Sequence, residues 1–273
     1  MATSSEGPGH AGPCGTKRLS GAAGPSRVAP ASSAAGAPAA FGPPDLPDFE
    51  GASADEVLRW AVGEFFPDIA VGCSMQDAVV VDLAWRVEPR IDVFFLETGF
   101  HFAETLATAD RVRERYSLPV VALTPAPGAA VYSTDGIEAC CRDRKVRPME
   151  RYLAGKRAWV TGLRRVASPS RANAKPVEWD AGRSLVKINP IVAWSDDDVE
   201  RYCREHDVVR NPLRDQGYAS IGCWPCTLPG KGRDGRWAST GQLECGLHVT
   251  SSAPGPAAPQ RPPANGSNGQ AAR

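Results

Sequence analysis

Between residues 46 and 249 the apolar positions follow two repeating patterns. Short, nearly continuous apolar runs occur at Ile69–Cys73, Ile91–Leu96, Leu118–Thr124, Ala158–Thr161 and Leu185–Ile188. Each is the length of a strand and too short for a packed helix, which predicts strands buried on both sides. Longer segments with polar residues interleaved lie between them. Ala54–Phe66, Ala78–Arg86 and Phe102–Tyr116 are predicted helices, and a further one runs from Ser195 to about His206. Ser53 followed by Glu56 forms a capping-box pattern for the first, and Ser195 with Asp198 starts the last. Strands alternating with helices predict an α/β fold, a parallel twisted sheet with helices on both faces. In such sheets ligands lie beyond the carboxyl ends of the strands. Three segments fall there: Ser74–Asp77, Glu97–Gly99 and the stretch after Thr161.

Composition limits where this pattern can fold. Residues 1–45 are crowded with Ala, Gly, Pro and Ser without apolar periodicity, and residues 250–273 read the same way. Both are expected to be disordered tails, leaving a single domain at 46–249. Lys17 and Arg18 have no apolar segment behind them, so the head is not expected to be a secretory signal. No apolar run approaches the length of a membrane span. The formal net charge is zero, so any anion site must be local. With no basic excess and no recognised module, nucleic acid is not an expected partner.

The eight cysteines change the picture. Without an export signal they favour metal or catalytic thiols over a disulfide scaffold, and a cytoplasmic protein. Cys140 and Cys141 are adjacent, and Cys223 and Cys226 form a C-x-x-C pair. Four soft thiolates suit zinc or an iron–sulfur cluster, and a C-x-x-C pair is also compatible with a redox dithiol. Adjacent side chains point apart, so using both Cys140 and Cys141 at one site requires a local kink. Cys73 and Cys203 sit in apolar or helical contexts and read as core, and Cys14 carries no expected role. Cys245, in Glu244-Cys-Gly-Leu-His248, would become a nucleophile only with positive charge nearby, for which His248, Arg233 and Arg236 are candidates. Basic clusters occur at Arg142–Arg147, Arg164–Arg171 and Lys231–Arg236, two of them beside cysteine motifs. In a neutral protein they point to a small anionic substrate held by Arg and Lys. Ser74-Met-Gln-Asp77, between a strand and a helix, has the position of a phosphate loop.

Taken together, Thr98-Gly-Phe-His, Cys140-Cys-Arg-Asp-Arg-Lys145-Val-Arg-Pro148, Arg164-Arg-x-x-Ser168-x-x-Arg171, Cys223-x-x-Cys226, Arg233-Asp-Gly-Arg236-Trp237 and Glu244-Cys-Gly-Leu-His248 resemble the adenylyl-sulfate reductases, the iron–sulfur branch of the phosphosulfate reductase family. The resemblance implies an adenine-nucleotide alpha-hydrolase-like fold. It implies one 4Fe–4S cluster on Cys140, Cys141, Cys223 and Cys226, with Cys245 as nucleophile and His248 beside it in an open role. Ser74, Gln76, Asp77, Glu97, Thr98 and Gly99 match the loops around the nucleotide. Lys145, Arg165, Arg171, Arg233 and Arg236 match residues that grip the phosphosulfate.

By this resemblance adenylyl sulfate is the substrate, sulfite and AMP are the products of a cysteine S-sulfonate route, and the context is sulfate assimilation toward cysteine. The chain carries no added redox domain of the plant type, which implies a separate thioredoxin as reductant; a homo-oligomer is left open. Two departures stand out. Ser74–Asp77 lacks the Gly-rich form of the ATP pyrophosphatases, which argues against ATP hydrolysis, and the stretch between Trp237 and Glu244 is short. The competing expectations are a 3′-phosphoadenylyl-sulfate reductase, an ATP-dependent sulfur or amide transferase and a non-catalytic iron–sulfur redox sensor.

Overall fold

The computed structural model describes residues 45–237 and 244–248. The expected disordered head (apart from Asp45), Cys14 within it, and the expected tail lie outside the described residues. The strands are β1 Ile69–Gly72, β2 Asp92–Leu96, β3 Val120–Leu123, β4 Ala158–Thr161, β5 Val177–Asp180 and β6 Leu185–Ile188. They form one sheet in the order β3-β2-β1-β4-β6-β5. All neighbouring pairs are parallel except β5–β6. The sheet is therefore parallel, as expected, with β5 added as one antiparallel edge strand. β5 was not expected at all, because Val-Glu-Trp-Asp is too short and too polar to read as a buried run. A turn into β6, in which Arg183 N–H donates to Asp180 O at 3.1 Å, folds it back as an antiparallel edge.

The helices are α1 Ala54–Phe65, α2 Val79–Val87, α3 Ala103–Tyr116, α4 Tyr132–Asp135, α5 Ile137–Cys141, α6 Arg147–Leu153 and α7 Asp196–Glu205. The expected caps form. Glu56 N–H donates to Ser53 Oγ at 3.2 Å while Ser53 N–H donates to Glu56 Oε2 at 2.8 Å, and Ser195 with Asp198 repeats the arrangement at α7.

Alternation along each strand divides the core in two. Ile69, Val71, Val93, Phe95, Val160 and Ile188 point to the face packed by α1, α2, α3 and α7. Ala70, Phe94, Trp159 and Leu185 point to the other face, where Met149 and Leu153 of α6 cover them. Helices thus cover both faces, as the apolar runs require. The chain leaves β1 toward β2 on one side and returns through β4 on the other. β1 is thereby the switch point where a crevice opens beyond the strand ends.

Candidate active site

A cavity of about 440 Å³ occupies that crevice, within the usual size of a small-ligand site. Its walls are the loops that follow β1, β2 and β4, together with the 219–237 segment and residues 245, 247 and 248.

The loop after β1 is held from behind. Met75 takes a positive φ of 60°, and Asn211 Nδ2 donates to Met75 O at 3.1 Å. Ser74, Gln76 and Asp77 line the cavity. Gln76 Oε1 accepts from Ile221 N–H at 3.0 Å, which ties this loop to the segment before Cys223. Burial pushes the Asp77 carboxyl up, against the lowering effect of Arg214 and Arg164.

The loop after β2 divides. Buried Thr98 faces the cavity, with Oγ1 3.2 Å from Cys223 Sγ. Glu97 and Gly99 lie outside the lining and bond to each other, Gly99 N–H to Glu97 Oε1 at 2.7 Å. His101 lines the cavity although it carried no expected role. Its Nε2 donates to Leu96 O at 2.7 Å, and burial lowers its pKa, so the ring is neutral at pH 7.

The adjacent cysteines end α5 and run directly into one π-helical turn, Arg142–Val146, before α6 begins. Such wide turns recur at functional sites, and this one supplies a local break in the helix directly after the adjacent cysteines. It also carries Lys145 inward, where the side chain is buried and lines the cavity. Burial would lower the Lys145 pKa, but its electrostatic coupling to Cys223, Cys245 and Cys141 outweighs burial and raises it. Arg144 fastens this turn to the β2 loop, donating to Thr98 O, Ala129 O and Ala130 O at 3.0, 3.0 and 2.7 Å.

Cys140 and Cys141 at the end of α5 lie close enough to Cys223 of the 219–237 segment to interact electrostatically, and Cys226 follows Cys223. Burial pushes Cys140 up, with Cys223 adding to it, and pushes Cys141 up to about 12, with Cys245, Cys223 and Cys140 adding to it. Cys226 is raised by burial, then by Cys223 and Cys140. Cys140, Cys141 and Cys226 are thus each coupled to Cys223. Among the described residues no three His, Cys, Asp or Glu side chains converge on a single-ion site. Cys73 and Cys203 are core residues, as expected.

The 219–237 segment supplies the cations. Arg236 bonds Ser220 Oγ and Ile221 O and lies 4.4 Å from the Trp237 ring, with Arg233 5.2 Å from the same ring. A side chain at Gly222 would collide with the Arg236 guanidinium. Burial brings the Arg233 pKa down to about 10, and the Arg171 charge pushes the same way. Lys145, Arg171, Arg233 and Arg236 all line the cavity. Arg165 is placed elsewhere. It makes a two-pronged ion pair with Glu50 at 2.7 and 2.6 Å and is absent from the lining, whereas its neighbour Arg164 is present.

Cys245 and His248 reach the cavity on a docked segment. Leu247 packs against the smaller core, and the His248 ring stacks on Trp159. His248 does not supply the positive charge expected beside Cys245. Burial and the surrounding cations hold its pKa well below 6.5.

A profile of the phosphoadenosine phosphosulfate reductase domain matches residues 68–229. The adenosine 5′-phosphosulfate reductase of Mycobacteroides abscessus is 48% identical over 216 residues, covering 74% of this chain and 91% of that protein. The chain belongs to the phosphoadenosine phosphosulfate reductase family. Membership makes it an enzyme. The Streptomyces coelicolor protein of the same name is also 48% identical, over 214 residues, covering 74% of this chain and 90% of that one. Among solved structures of the family, a phosphoadenylyl-sulfate reductase from Candida auris in a phosphate complex superposes with a TM-score of 0.55 at 28% identity, covering 64% of this chain and 90% of that one. A Candida glabrata FMN adenylyltransferase, TM-score 0.52 at 15% identity over 65% of each chain, shares the fold alone. The matched domain contains the four paired cysteines and Lys145 but stops before Arg233 and Cys245, so the family's reductase profile leaves the docked segment to the geometry.

Several lining residues had no expected role: Arg214, His101, Trp159 and Leu247. His101 was visible within the Thr98-Gly-Phe-His motif. Leu247 was likewise visible within Glu244-Cys-Gly-Leu-His248, whereas Arg214 and Trp159 sit in ordinary contexts with no local signal.

Proposed function

We propose that the chain reduces adenylyl sulfate to sulfite and AMP, with Cys245 as nucleophile and thioredoxin as reductant. The observation that carries this reading is that Cys245 lines the same cavity as Lys145, Arg233 and Arg236, beside the cysteine quartet. A bound phosphosulfate there would face both a thiol and fixed cations. Cys245 thiolate attacks the sulfur; the S–O bond to phosphate breaks as the S–S bond forms, giving a cysteine S-sulfonate and AMP. Arg233, Arg236 and Lys145 neutralise the charge that grows on the departing phosphate, where preorganised cations lower the barrier most. One thiolate of the reductant then attacks Cys245 sulfur and releases sulfite; its second thiol closes a disulfide and returns Cys245 to the reduced form. Two electrons thus pass from the dithiol to sulfur.

Cys140, Cys141, Cys223 and Cys226 would hold a 4Fe–4S cluster. Four thiols from two neighbouring segments suit it. When bound, the cluster would crosslink the π-turn to the 219–237 segment and add its charge to the field at Lys145. The described cysteines are all free thiols, which fits a reducing cytoplasm. No described helix is long and apolar enough to cross a membrane. The reading assigns the reaction to sulfate assimilation toward cysteine.

The test is to incubate the purified protein with adenylyl sulfate and measure the intact mass. One added SO3 group is expected, lost on adding thioredoxin. Cys245→Ser should abolish it while iron and labile sulfide are retained. Sulfite production that survives this substitution would refute the nucleophile assignment, and a higher rate on 3′-phosphoadenylyl sulfate would refute the substrate.

A further inference from the structure

We infer that Arg171 and Glu244 form a clasp that seats Cys245 over the cavity, so that Arg171 serves the protein's own nucleophile segment and not the anion of the nucleotide. This inference rests on the reading of Cys245 as nucleophile. Glu244 directly precedes Cys245, and both its carboxylate oxygens are engaged. Oε1 accepts from Arg171 Nε at 2.8 Å and from Ser168 and Ser170 Oγ at 3.2 Å each. Oε2 accepts from Arg171 Nη2 at 2.9 Å and lies 3.4 Å from Arg233 Nη2. The Arg171 contact is the two-pronged fork that gives guanidinium–carboxylate pairs their directionality. Only 11% of each side chain is exposed, so the pair is shielded from the screening that weakens surface ion pairs.

The closer donors come from one short stretch. Ser168, Ser170 and Arg171 follow β4 through the turn Pro169–Arg171, so the frame of the sheet sets the position of Glu244. The other anchors of the segment are apolar or steric. Leu247 packs on the smaller core, and Gly246, with φ 85°, passes so near Val146 that an added Cβ would lie 3.4 Å from its Cγ2. His248 stacks on Trp159 in its neutral form. Glu244 is thus the only formally charged residue among 244–248, and it pairs with an arginine that a nucleotide anion would otherwise claim.

The experiment follows three quantities in the full-length, iron-loaded protein. Single-turnover S-sulfonation at saturating adenylyl sulfate is read by intact mass for wild type, Glu244→Gln and Arg171→Met. Adenylyl-sulfate affinity is read by calorimetry with each change placed in the non-reacting Cys245→Ser background. Alkylation of Cys245 by iodoacetamide is followed without nucleotide. Glu244→Gln and Arg171→Met should each slow S-sulfonation by about tenfold or more, the scale of a lost charge-assisted hydrogen bond. Affinity should change by less than about threefold, and alkylation should accelerate. The exchanged pair Glu244→Arg with Arg171→Glu should recover part of the lost rate, the mark of a direct pairing between the two. The inference is overturned if Arg171→Met weakens nucleotide binding by about tenfold or more, the cost of losing a ligand contact. It is also overturned if neither change alters the alkylation rate. A wild type that binds adenylyl sulfate but never gains SO3 would instead refute the reading of Cys245 as nucleophile, and the alkylation rates would then decide the clasp alone.

Discussion

The rings of Trp159 and His248 lie nearly parallel, 6° apart in plane and 5.8 Å between centres. Trp159 belongs to β4 beneath the cavity, and His248 is the last described residue of the segment that carries Cys245. The contact therefore joins the sheet to the segment that carries Cys245, in a buried setting that favours the uncharged imidazole. Burial lowers the His248 pKa first, and Arg171, Lys187, Arg233 and Arg183 lower it further.

A pH dependence follows. A histidine whose pKa is depressed on docking takes up a proton more readily when released. Docking is then at full strength above the free histidine pKa of about 6.5 and weakens as pH falls below it. S-sulfonation by wild type should decline from about pH 7 to about pH 5.5 more steeply than in His248→Phe, which keeps a ring on Trp159 without a titrating group. Rapid-quench rates across that range check it; parallel profiles would count against the contact.

Gly72 sits across from Phe94 in the β1–β2 register. A Cβ there would stand 2.9 Å from Phe94 Cζ. Gly72→Ala should cost about 1–3 kcal/mol, the usual scale of overpacking, and should weaken nucleotide binding because the Cys73–Asp77 loop begins at this residue. Urea unfolding and calorimetry measure the two effects.

Arg144 donates to three carbonyls and stacks 4.7 Å from the Phe100 ring. Lysine cannot reproduce that fork. Arg144→Lys should lower stability by about 1–3 kcal/mol and speed iron loss to a chelator, because this residue couples the cysteine-bearing turn to the β2 loop. Iron retention equal to wild type would argue against that coupling.

The β5 edge depends on a buried pair. Lys187 Nζ lies 2.7 Å from Glu178 Oε1, the two residues being direct cross-strand partners, and the Lys187 side chain is 3% exposed. Glu178→Ala should destabilise by about 3–5 kcal/mol by stranding a buried charge, and adding Lys187→Met should restore much of it. A double-mutant cycle in urea decides this; additive losses would contradict it.

Much of the frame was legible from local pattern. The strands Ala158–Thr161 and Leu185–Ile188 fall where the apolar runs place them, and α1 and α7 start at their capping residues. These features depend on near neighbours, which a sequence displays directly. The segment Tyr132–Leu153 went unassigned because the charged run Arg142–Arg147 and the π-turn break the 3.6-residue period. β5 escaped because an edge strand is specified by its partner.

The sequence alone determined which chemistry the chain can offer: paired cysteines, a lone cysteine near the C-terminus, and arginines and lysines in a neutral protein. Only the tertiary structure decided which of these groups share a site. It sends Arg165 to Glu50 and Arg171 to Glu244, although the two follow the same strand six residues apart. It leaves His248 neutral against Trp159 and brings Lys145 in among the thiols. The physical reason is that local conformation depends on a few adjacent residues, whereas charge pairing and burial depend on which distant segments the sheet order brings together.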